Sequence, residues 1–301
     1  MKQAAERLKQ AVGAGIFLTD EPMSRHTTFR TGGPADIYIE PSGVEELKQV
    51  LDICREENVA YTIIGNGSNL LVGDGGYRGV LISFGKPFAQ VTIEGAQVRT
   101  GAGALLSAVA KQVLNASLTG FEFAAGIPGT VGGAAVMNAG AYGGELKDVL
   151  ESVRVMTPDG EVKELKTEEL DLGYRHSCIP ERGYIVLSAR IRLEKGDPEA
   201  IRVRMDELAA KRREKQPLEY PSAGSTFKRP EGYFAGKLIE DAGLRGYQEG
   251  GAQVSEKHCG FVINRDHATA SDIAGLCGTV QKRVYEQFGV KLETEVKMLG
   301  F

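Results

Sequence analysis

A long uncharged stretch between Glu122 and Glu145 most restricts how this chain can fold. It covers about twenty residues, which is long enough to cross a bilayer as a helix. The stretch is rich in glycine, however, and contains Pro128 and Asn138, while most of its hydrophobicity comes from alanine. Glycine and proline are the poorest residues for a helix interior. The composition therefore favours a buried, tightly turning glycine loop over a membrane span.

An earlier glycine-rich segment, Gly65–Asn69, follows a predicted helix at residues 45–57 and a predicted strand at residues 61–64. This order suggests an α/β unit that binds a ligand at the end of the strand. The segment lacks the third glycine of a dinucleotide fingerprint, and Leu70 begins no evident helix. Its backbone amides, with Ser68 and Asn69, suit a phosphate. An ordinary strand-ending turn is the alternative.

Glycines in the long uncharged stretch are densest at Gly126–Gly133. Because glycine loses more backbone entropy on folding than other residues, such density suggests close approach of the backbone to a flat or charged ligand. A structural crossover between packed strands is the alternative. Together, the two segments suggest one long ligand, with a diphosphate near the first and a ring system near the second. The motifs alone do not identify that ligand.

The composition excludes several classes of protein. The chain has 301 residues, a net charge of −4 and a pI of about 5.8, which argues against a broad nucleic-acid-binding surface. The N-terminus lacks the apolar run of a secretory signal. The four cysteines and the histidines show no zinc spacing, so we expect no metal and four reduced thiols.

The remaining pattern predicts an α+β chain with two or three domains. Short strand-like runs begin near Val80, and Pro158-Asp159-Gly160 is typical of a hairpin turn. We expect a domain boundary near Gly196. Further predicted elements are a helix at 105–114, a strand at 185–193, a helix at 197–216, a helix at 235–241, a strand at 260–264, a helix at 271–288 capped by Ser271 and Asp272, and a strand through the tail VKLETEVKML.

Eight motifs in register make the chain resemble the UDP-N-acetylenolpyruvoylglucosamine reductase family over nearly its whole length. They are HTTFRTGGPAD at 26–36, IIGNGSNLLVGDGG at 63–76, AGIPGTVGGAAVMNAGAYGGE at 125–145, GYRHS at 173–177, PSAGSTFKRP at 221–230, AGKLIEDAGLRG at 235–246, GFVIN at 260–264 and LETEVKMLG at 292–300.

This resemblance implies a vanillyl-alcohol-oxidase-type FAD-binding fold in two parts, residues 1–78 and 79–196. A substrate-binding domain follows at 197–301, and its C-terminal strand returns to the active site. The resemblance implies that FAD, held without a covalent link, contacts Gly65, Asn66, Gly67, Ser68, Asn69, Leu70, Gly126, Ile127, Pro128, Gly129, Thr130, Gly132 and Gly133. For Arg30, Thr31 and Gly32, a structural role and cofactor contact both stay open.

The implied reaction is NADPH-dependent reduction of the enolpyruvyl group of UDP-N-acetylglucosamine enolpyruvate. Negative charge builds on the substrate's α-carbon and carboxylate, so a fixed cation and a proton donor are needed. The family match assigns Arg175 to the carboxylate and Ser225 to proton donation, although each residue alone also suits a structural role. Alternation puts Glu293 and Glu295 on one strand face, and only the motif favours Glu295.

The resemblance is to the shorter of the family's two types, because residues 216–224 leave no room for the substrate-covering insertion of the longer type. Tyr174, Lys228, Lys237 and His258 are the predicted substrate-binding residues. Arg229 stands where many relatives have asparagine, so that asparagine's role is not transferred.

Two other functions stay open at this stage. One is an oxidase of the same fold with FAD attached covalently, for which His26 and Cys178 are candidates by residue type. The other is a nucleotide-binding regulatory protein without turnover. We expect a cytoplasmic enzyme that needs no oligomer, nucleic acid or membrane.

Overall fold

The computed structural model describes residues 2–301. Within that range the α-helices are α1 (Lys2–Ala11), α2 (Val44–Glu56), α3 (Leu106–Asn115), α4 (Val131–Met137), α5 (Pro198–Lys215), α6 (Ala235–Asp241) and α7 (Ala270–Phe288). The first seven strands are β1 (Ile16–Pro22), β2 (Pro34–Glu40), β3 (Tyr61–Ile64), β4 (Leu70–Val72), β5 (Tyr77–Ser83), β6 (Val91–Glu94) and β7 (Gln97–Gly101). Three strands of two residues each follow: β8 (Leu118–Thr119), β9 (Gly140–Ala141) and β10 (Gly144–Glu145). The chain continues with β11 (Leu150–Met156), β12 (Val162–Lys166), β13 (Ile185–Arg192), β14 (Glu194–Lys195), β15 (Gln248–Glu249), β16 (Ala252–Val254), β17 (Val262–Asn264) and β18 (Lys297–Leu299).

The chain divides into two compact units. Unit 1 runs up to Leu18 and then comprises Ile37–Asn66 and Gly79–Lys211. Unit 2 comprises Thr19–Asp36, Gly67–Arg78 and Arg212–Phe301.

A five-stranded antiparallel sheet, in the order β12-β11-β13-β7-β6, organises much of unit 1. Its inward side chains, among them Val153 and Ile191, pack with residues of α3 and α4 in one apolar cluster. The β11–β12 hairpin closes around Gly160, whose φ of +82° suits a turn, so the hairpin prediction is confirmed. A four-stranded sheet has the order β1-β2-β5-β3, and apolar residues of β2 and β5 share a buried cluster with those of α2. Leu47, Val50, Leu51 and Cys54 form the buried stripe of α2, as the periodicity predicts.

Unit 2 contains the antiparallel sheet β15-β16-β17 and the helices α6 and α7. Its apolar core joins side chains of α7, such as Ile273 and Val280, with β16, β17 and the segment around Phe227. Strand β18 pairs in parallel with β4, so Lys297–Leu299 lies beside Leu70–Val72. The end of the chain is thereby hydrogen-bonded to the strand that follows the first glycine segment.

Helix α7 begins at Ala270, one residue earlier than the sequence predicts, and its N-cap differs. Thr269 is the N-cap, and it forms a capping box with Asp272, while Ser271 is inside the helix. Asp74 supplies further acceptors: its carboxylate takes the backbone N–H groups of Ala270 (2.8 Å) and Ser271 (2.9 Å). The helix ends at Gly289, where φ is +68°. The prediction of Ser271 as a cap is therefore wrong.

Two other predictions need correction. The segment Gly126–Gly133 is not loop throughout, because Thr130 caps α4 and places Gly132 and Gly133 in a helix. The C-terminal tail is a strand only at Lys297–Leu299; before it, Thr294 makes an isolated bridge to Phe227.

The four cysteines are buried and unbridged, as predicted. Burial raises the pKa of Cys54 to about 11 and that of Cys277 to about 12. Both thiols are therefore protonated and unreactive near neutral pH.

Candidate active site

Gly65 and Asn66, the start of the first glycine segment, lie beside the second glycine segment in unit 1. The Asn66 amide nitrogen donates to the carbonyl oxygen of Pro128 at 2.7 Å. A Cβ added to Gly65 would come within 2.7 Å of the Thr130 hydroxyl oxygen. Residues 66 and 128 are therefore in direct contact, and the start of the first segment touches the second.

The glycines of these segments have different physical reasons to be glycine. At Gly67, φ is +61° and an added Cβ would overlap the carbonyl oxygen of His26, so the fold itself requires glycine. An added Cβ at Gly132 would lie 2.9 Å from that of Ala102. At the exposed Gly133 the nearest atom, the Thr130 hydroxyl oxygen, would be 3.5 Å away. The fold does not need this glycine, which leaves backbone open to a ligand such as FAD.

The other predicted cofactor residues continue these segments. Leu70 is buried as the first residue of β4, and Ile127 packs against the core of unit 1. The Gly129 carbonyl accepts the N–H of Leu106 at 3.0 Å. Ser68 is half-buried, and Gly126 is exposed.

Arg175 is presented by a tight turn in unit 1. Gly173 and His176 form an antiparallel bridge, with reciprocal N–H···O distances of 3.2 and 3.3 Å. Arg175 has a φ of +54°, which an L side chain rarely adopts and which tends to persist at functional positions. Its Nη2 donates to the Gly140 carbonyl at 3.3 Å, and its guanidinium lies 5.1 Å from the ring centre of Tyr174, which is exposed. The turn thus carries a cation and an aromatic ring together.

The electrostatics near this turn centre on Glu145. The hydrogen bond from Lys147 is the largest cause that lowers the pKa of Glu145, and burial opposes it. Asn138 and the charge of Arg175 lower this pKa further. Glu145 is therefore ionised near neutral pH and acts on Arg175 as a fixed negative charge.

Ser225 and Glu295 lie on adjacent, hydrogen-bonded segments of unit 2. The N–H of Glu295 donates to the carbonyl of Thr226 at 2.8 Å, and the N–H of Lys228 donates to the carbonyl of Glu293 at 2.8 Å. Ser225 is exposed, immediately after Gly224 with its φ of +73°. Glu295 thus pairs with Thr226, the residue directly after Ser225.

Thr226 and Asn69 fix the backbone of Glu295 from two sides. Thr226 is fully buried, and its hydroxyl accepts the N–H of Val262 at 2.9 Å. The Asn69 amide donates to the Glu295 carbonyl at 3.0 Å, and the Lys297 N–H donates to the Asn69 carbonyl at 3.0 Å. The first glycine segment therefore reaches the backbone of a predicted catalytic residue, and sequence reasoning found neither contact.

The predicted substrate cations of unit 2 are partly neutralised. Lys228 pairs with the exposed carboxylate of Glu293 at 3.0 Å, and Lys237 pairs with Asp241 one helical turn away. Burial lowers the pKa of His258, whose Nδ1 accepts the N–H of Gly260 at 3.0 Å. His258 is therefore largely neutral near pH 7, which favours a structural role; substrate binding by these residues stays a prediction.

Arg30, Thr31 and Gly32 line a cavity of about 640 Å³ inside unit 2. Pro221 and Asn264 also line it, and the Asn264 N–H donates to the Pro221 carbonyl at 2.9 Å. The cavity thus lies at the Pro221 end of the segment that carries Ser225 four residues later.

Two negative findings apply to residues 2–301. No group of three or more His, Cys, Asp or Glu side chains there is arranged to hold a metal ion. None of the helices in that part of the chain has the length and apolar character needed to cross a membrane.

Two separate parts of the chain match known protein families. Residues 35–166 match the FAD binding domain family, and residues 216–299 match the C-terminal domain of UDP-N-acetylenolpyruvoylglucosamine reductase. With the paired glycine segments, these matches define an FAD-binding protein with an added C-terminal domain. The chain belongs to the UDP-N-acetylenolpyruvoylglucosamine reductase family.

Individual relatives agree over the full length. The reductase of Agathobacter rectalis is 57% identical, over 100% of this chain and 98% of that protein. The reductase of Clostridioides difficile is 54% identical, over 93% and 92% of the two chains. The crystal structure of the Thermus caldophilus reductase matches with a TM-score of 0.81 at 37% identity, over 95% and 98%.

A more distant structure, the glucose dehydrogenase Phl p 4.0202, shares the fold at a TM-score of 0.52 and 14% identity. The matched region covers 65% of this chain and 44% of the chain of that dehydrogenase. The predicted α+β class, with a vanillyl-alcohol-oxidase-type FAD-binding fold and a C-terminal domain, is confirmed.

The covalent-FAD oxidase is not favoured by these relatives. The residues that it would use already have partners: the His26 ring contacts Glu21 at 2.9 Å, and the buried Cys178 thiol contacts the Glu169 carbonyl at 3.3 Å.

Proposed function

We propose that this chain reduces UDP-N-acetylglucosamine enolpyruvate to UDP-N-acetylmuramate with NADPH, in the cytoplasm, as a step of peptidoglycan precursor synthesis. FAD, held without a covalent bond by Gly65–Leu70 and Gly126–Gly133, would supply the hydride-transfer chemistry between NADPH and this substrate. Residues 1–78 and 79–196 form the FAD-binding subdomains in this proposal. Residues 197–301 form the substrate domain, and its C-terminal strand returns to the active site.

The observation that carries the proposal is the pairing of the Ser225 and Glu295 segments. They are far apart in sequence, yet the Thr226 carbonyl accepts the Glu295 N–H at 2.8 Å. A proton donor and a carboxyl group held on adjacent backbone segments suit a reaction in which a carbanion forms and is protonated. Full-length kinship with reductases of this name supports the same activity.

The residues that would hold FAD are Gly65–Leu70 and Gly126–Gly133. Close backbone approach to a flat or charged ligand needs small residues. The open space at Gly133 and the contact between Asn66 and Pro128 fit this role.

Each proposed catalytic side chain has a distinct task. The guanidinium of Arg175 is permanently charged and forked, so it stabilises the substrate carboxylate as negative charge builds there. The hydroxyl of Ser225 gives its proton to the α-carbon. Glu295 polarises the enolate in concert with Arg175. The choice of Glu295 over Glu293 rests on the family motif.

Tyr174, Lys228, Lys237 and His258 are the proposed substrate contacts. Tyr174 has the strongest support, because half of its surface is exposed and it shares a turn with Arg175. Lys228 and Lys237 would have to exchange a carboxylate partner for a substrate phosphate.

Ser225→Ala tests the proposal through the two half-reactions. NADPH should reduce the flavin of this variant at the normal rate. Reoxidation of the reduced flavin by the enolpyruvyl substrate should slow about 10²–10⁴-fold, the usual contribution of a positioned acid. Stopped-flow absorbance of the flavin measures both steps.

Ser222→Ala is the matched control, since Ser222 lies three residues earlier and makes a backbone bridge to Ile263. It should leave both half-reactions unchanged. Normal reoxidation in Ser225→Ala would contradict the proton-donor role.

A further inference from the structure

Asn138 is a fully buried polar residue in the long uncharged stretch. It follows α4 directly, and its φ of +44° gives the left-handed conformation that ends the helix. An amide buried among apolar neighbours is costly unless its polar atoms are paired. Its partners therefore show what the residue does.

Three hydrogen bonds use the donors and the acceptor of this amide. Its Nδ2 donates to the Gly173 carbonyl at 3.1 Å and to the Glu145 carboxylate at 2.9 Å. Its Oδ1 accepts the N–H of Lys147 at 2.9 Å. Asn138 thus joins the end of α4 to two segments, and one of them begins the turn that presents Arg175.

Two further contacts hold the same turn against the end of α4. The buried Ser177 hydroxyl donates to the Val136 carbonyl at 2.7 Å, and Arg175 Nη2 donates to the Gly140 carbonyl at 3.3 Å. Because Arg175 has a φ of +54°, its conformation persists only if surrounding contacts hold it. Gly173 is the residue where the turn starts, so a bond to its carbonyl fixes the direction of the turn.

We propose that Asn138 is a positioning residue for Arg175: its amide, through the Gly173 carbonyl, sets where the guanidinium meets the substrate carboxylate. This inference rests on the proposed role of Arg175. The same amide binds Glu145, whose negative charge acts on Arg175, so one side chain fixes the turn and the carboxylate beside it.

Asn138→Gly removes the amide while a glycine accepts the left-handed backbone. The flavin-loaded variant should be reduced by NADPH at the wild-type rate. Reoxidation by the enolpyruvyl substrate should slow about 100-fold, the usual effect of displacing a catalytic group by about 1 Å. Wild-type reoxidation in this variant would overturn the proposal.

Asn58→Gly is the matched control. Asn58 is also left-handed, with a φ of +51°, and also follows a helix of unit 1, but its side chain is exposed. Its substitution should change neither half-reaction.

Arg175→Ala and the double variant separate this proposal from the proposed function. If Arg175→Ala leaves reoxidation intact, the catalytic role of Arg175 fails. If it slows reoxidation and Asn138→Gly does not, only the positioning role fails. Our proposal predicts that adding Asn138→Gly to Arg175→Ala slows reoxidation by less than threefold, because both changes remove one interaction. A full further 100-fold would overturn it.

A second variant covers the case in which Asn138→Gly does not fold. Asn138→Asp keeps the side-chain size and the acceptor for Lys147. An ionised Asp has no proton to donate, and a protonated one has a single O–H that faces the stronger acceptor, the Glu145 carboxylate, so the Gly173 carbonyl loses its donor in either state. It should slow reoxidation selectively in the same way. Wild-type reoxidation in Asn138→Asp would overturn the proposal.

Discussion

Replacing Gly133 by alanine tests whether the second glycine segment is open because a cofactor occupies the space. The fold itself has room for a methyl group there, since the nearest atom would be 3.5 Å from the new Cβ. Gly133 also lies inside α4, where alanine is favoured over glycine by about 0.5–1 kcal/mol. Without FAD, Gly133→Ala should therefore be as stable as the wild type or more stable.

The neighbouring Gly132→Ala provides a contrast of opposite sign. Its Cβ would lie 2.9 Å from that of Ala102, closer than real Cβ atoms come. Overpacking of this kind costs about 1–3 kcal/mol. The same substitution, one residue away, should therefore destabilise the protein before any ligand is added.

The effect of FAD distinguishes the variants. At an FAD concentration about 100 times the Kd, binding stabilises the wild type by about 2.7 kcal/mol. A methyl group in the cofactor's space should weaken binding at least tenfold, which removes about 1.4 kcal/mol of that gain. Urea unfolding followed by circular dichroism, at low and at excess FAD, measures both quantities. If Gly133→Ala gains as much from FAD as the wild type, no cofactor contacts this position.

Two further predictions concern Asp74 and Arg175. Asp74→Ala should destabilise unit 2 by about 1 kcal/mol at pH 7, because α7 loses a capping carboxylate. Burial raises the pKa of Asp74, but the hydrogen bonds from Ser271 and Ala270 outweigh it and lower the pKa below its ordinary value of 3.8. The stabilisation is therefore complete above that value and lost as the pH falls through the lower folded-state pKa, so denaturation midpoints of variant and wild type should converge in acid. Arg175→Gly should abolish turnover and leave stability within about 1 kcal/mol, since relief of the left-handed strain offsets the entropy cost of glycine; a loss of several kcal/mol in thermal unfolding would show that Arg175 holds its turn together.

Local patterns in the sequence predicted most of the regular structure. The helix at residues 45–57 and the strand at Tyr61–Ile64 follow from periodicity, and the β11–β12 hairpin follows from its turn residues. These signals lie within a few residues of the structure that they determine. Local patterns do not predict α4, because its glycines are typical of a loop although Thr130 caps a helix there.

Contacts between residues far apart in the sequence could not be predicted from local patterns. The hydrogen bond from the N–H of Ala270 in α7 to the Asp74 carboxylate joins residues 196 positions apart. Local patterns therefore predict Ser271 and Asp272 as the caps instead. Alternation puts Glu293 and Glu295 on one face and does not separate them. The contact of Glu293 with Lys228, 65 residues earlier, is of a kind that no local pattern predicts. Asn138 gave only one sequence signal, a lone amide in an uncharged stretch, and its role depends on a segment 35 residues later.

Reoxidation of the NADPH-reduced protein tests the central claim most directly. The purified protein, reduced by one equivalent of NADPH without oxygen, is mixed with UDP-N-acetylglucosamine enolpyruvate while flavin absorbance is recorded. We predict rapid return of the oxidised flavin spectrum, formation of one equivalent of UDP-N-acetylmuramate, and release of all flavin on acid precipitation. A flavin that stays reduced in the presence of this substrate would contradict the account.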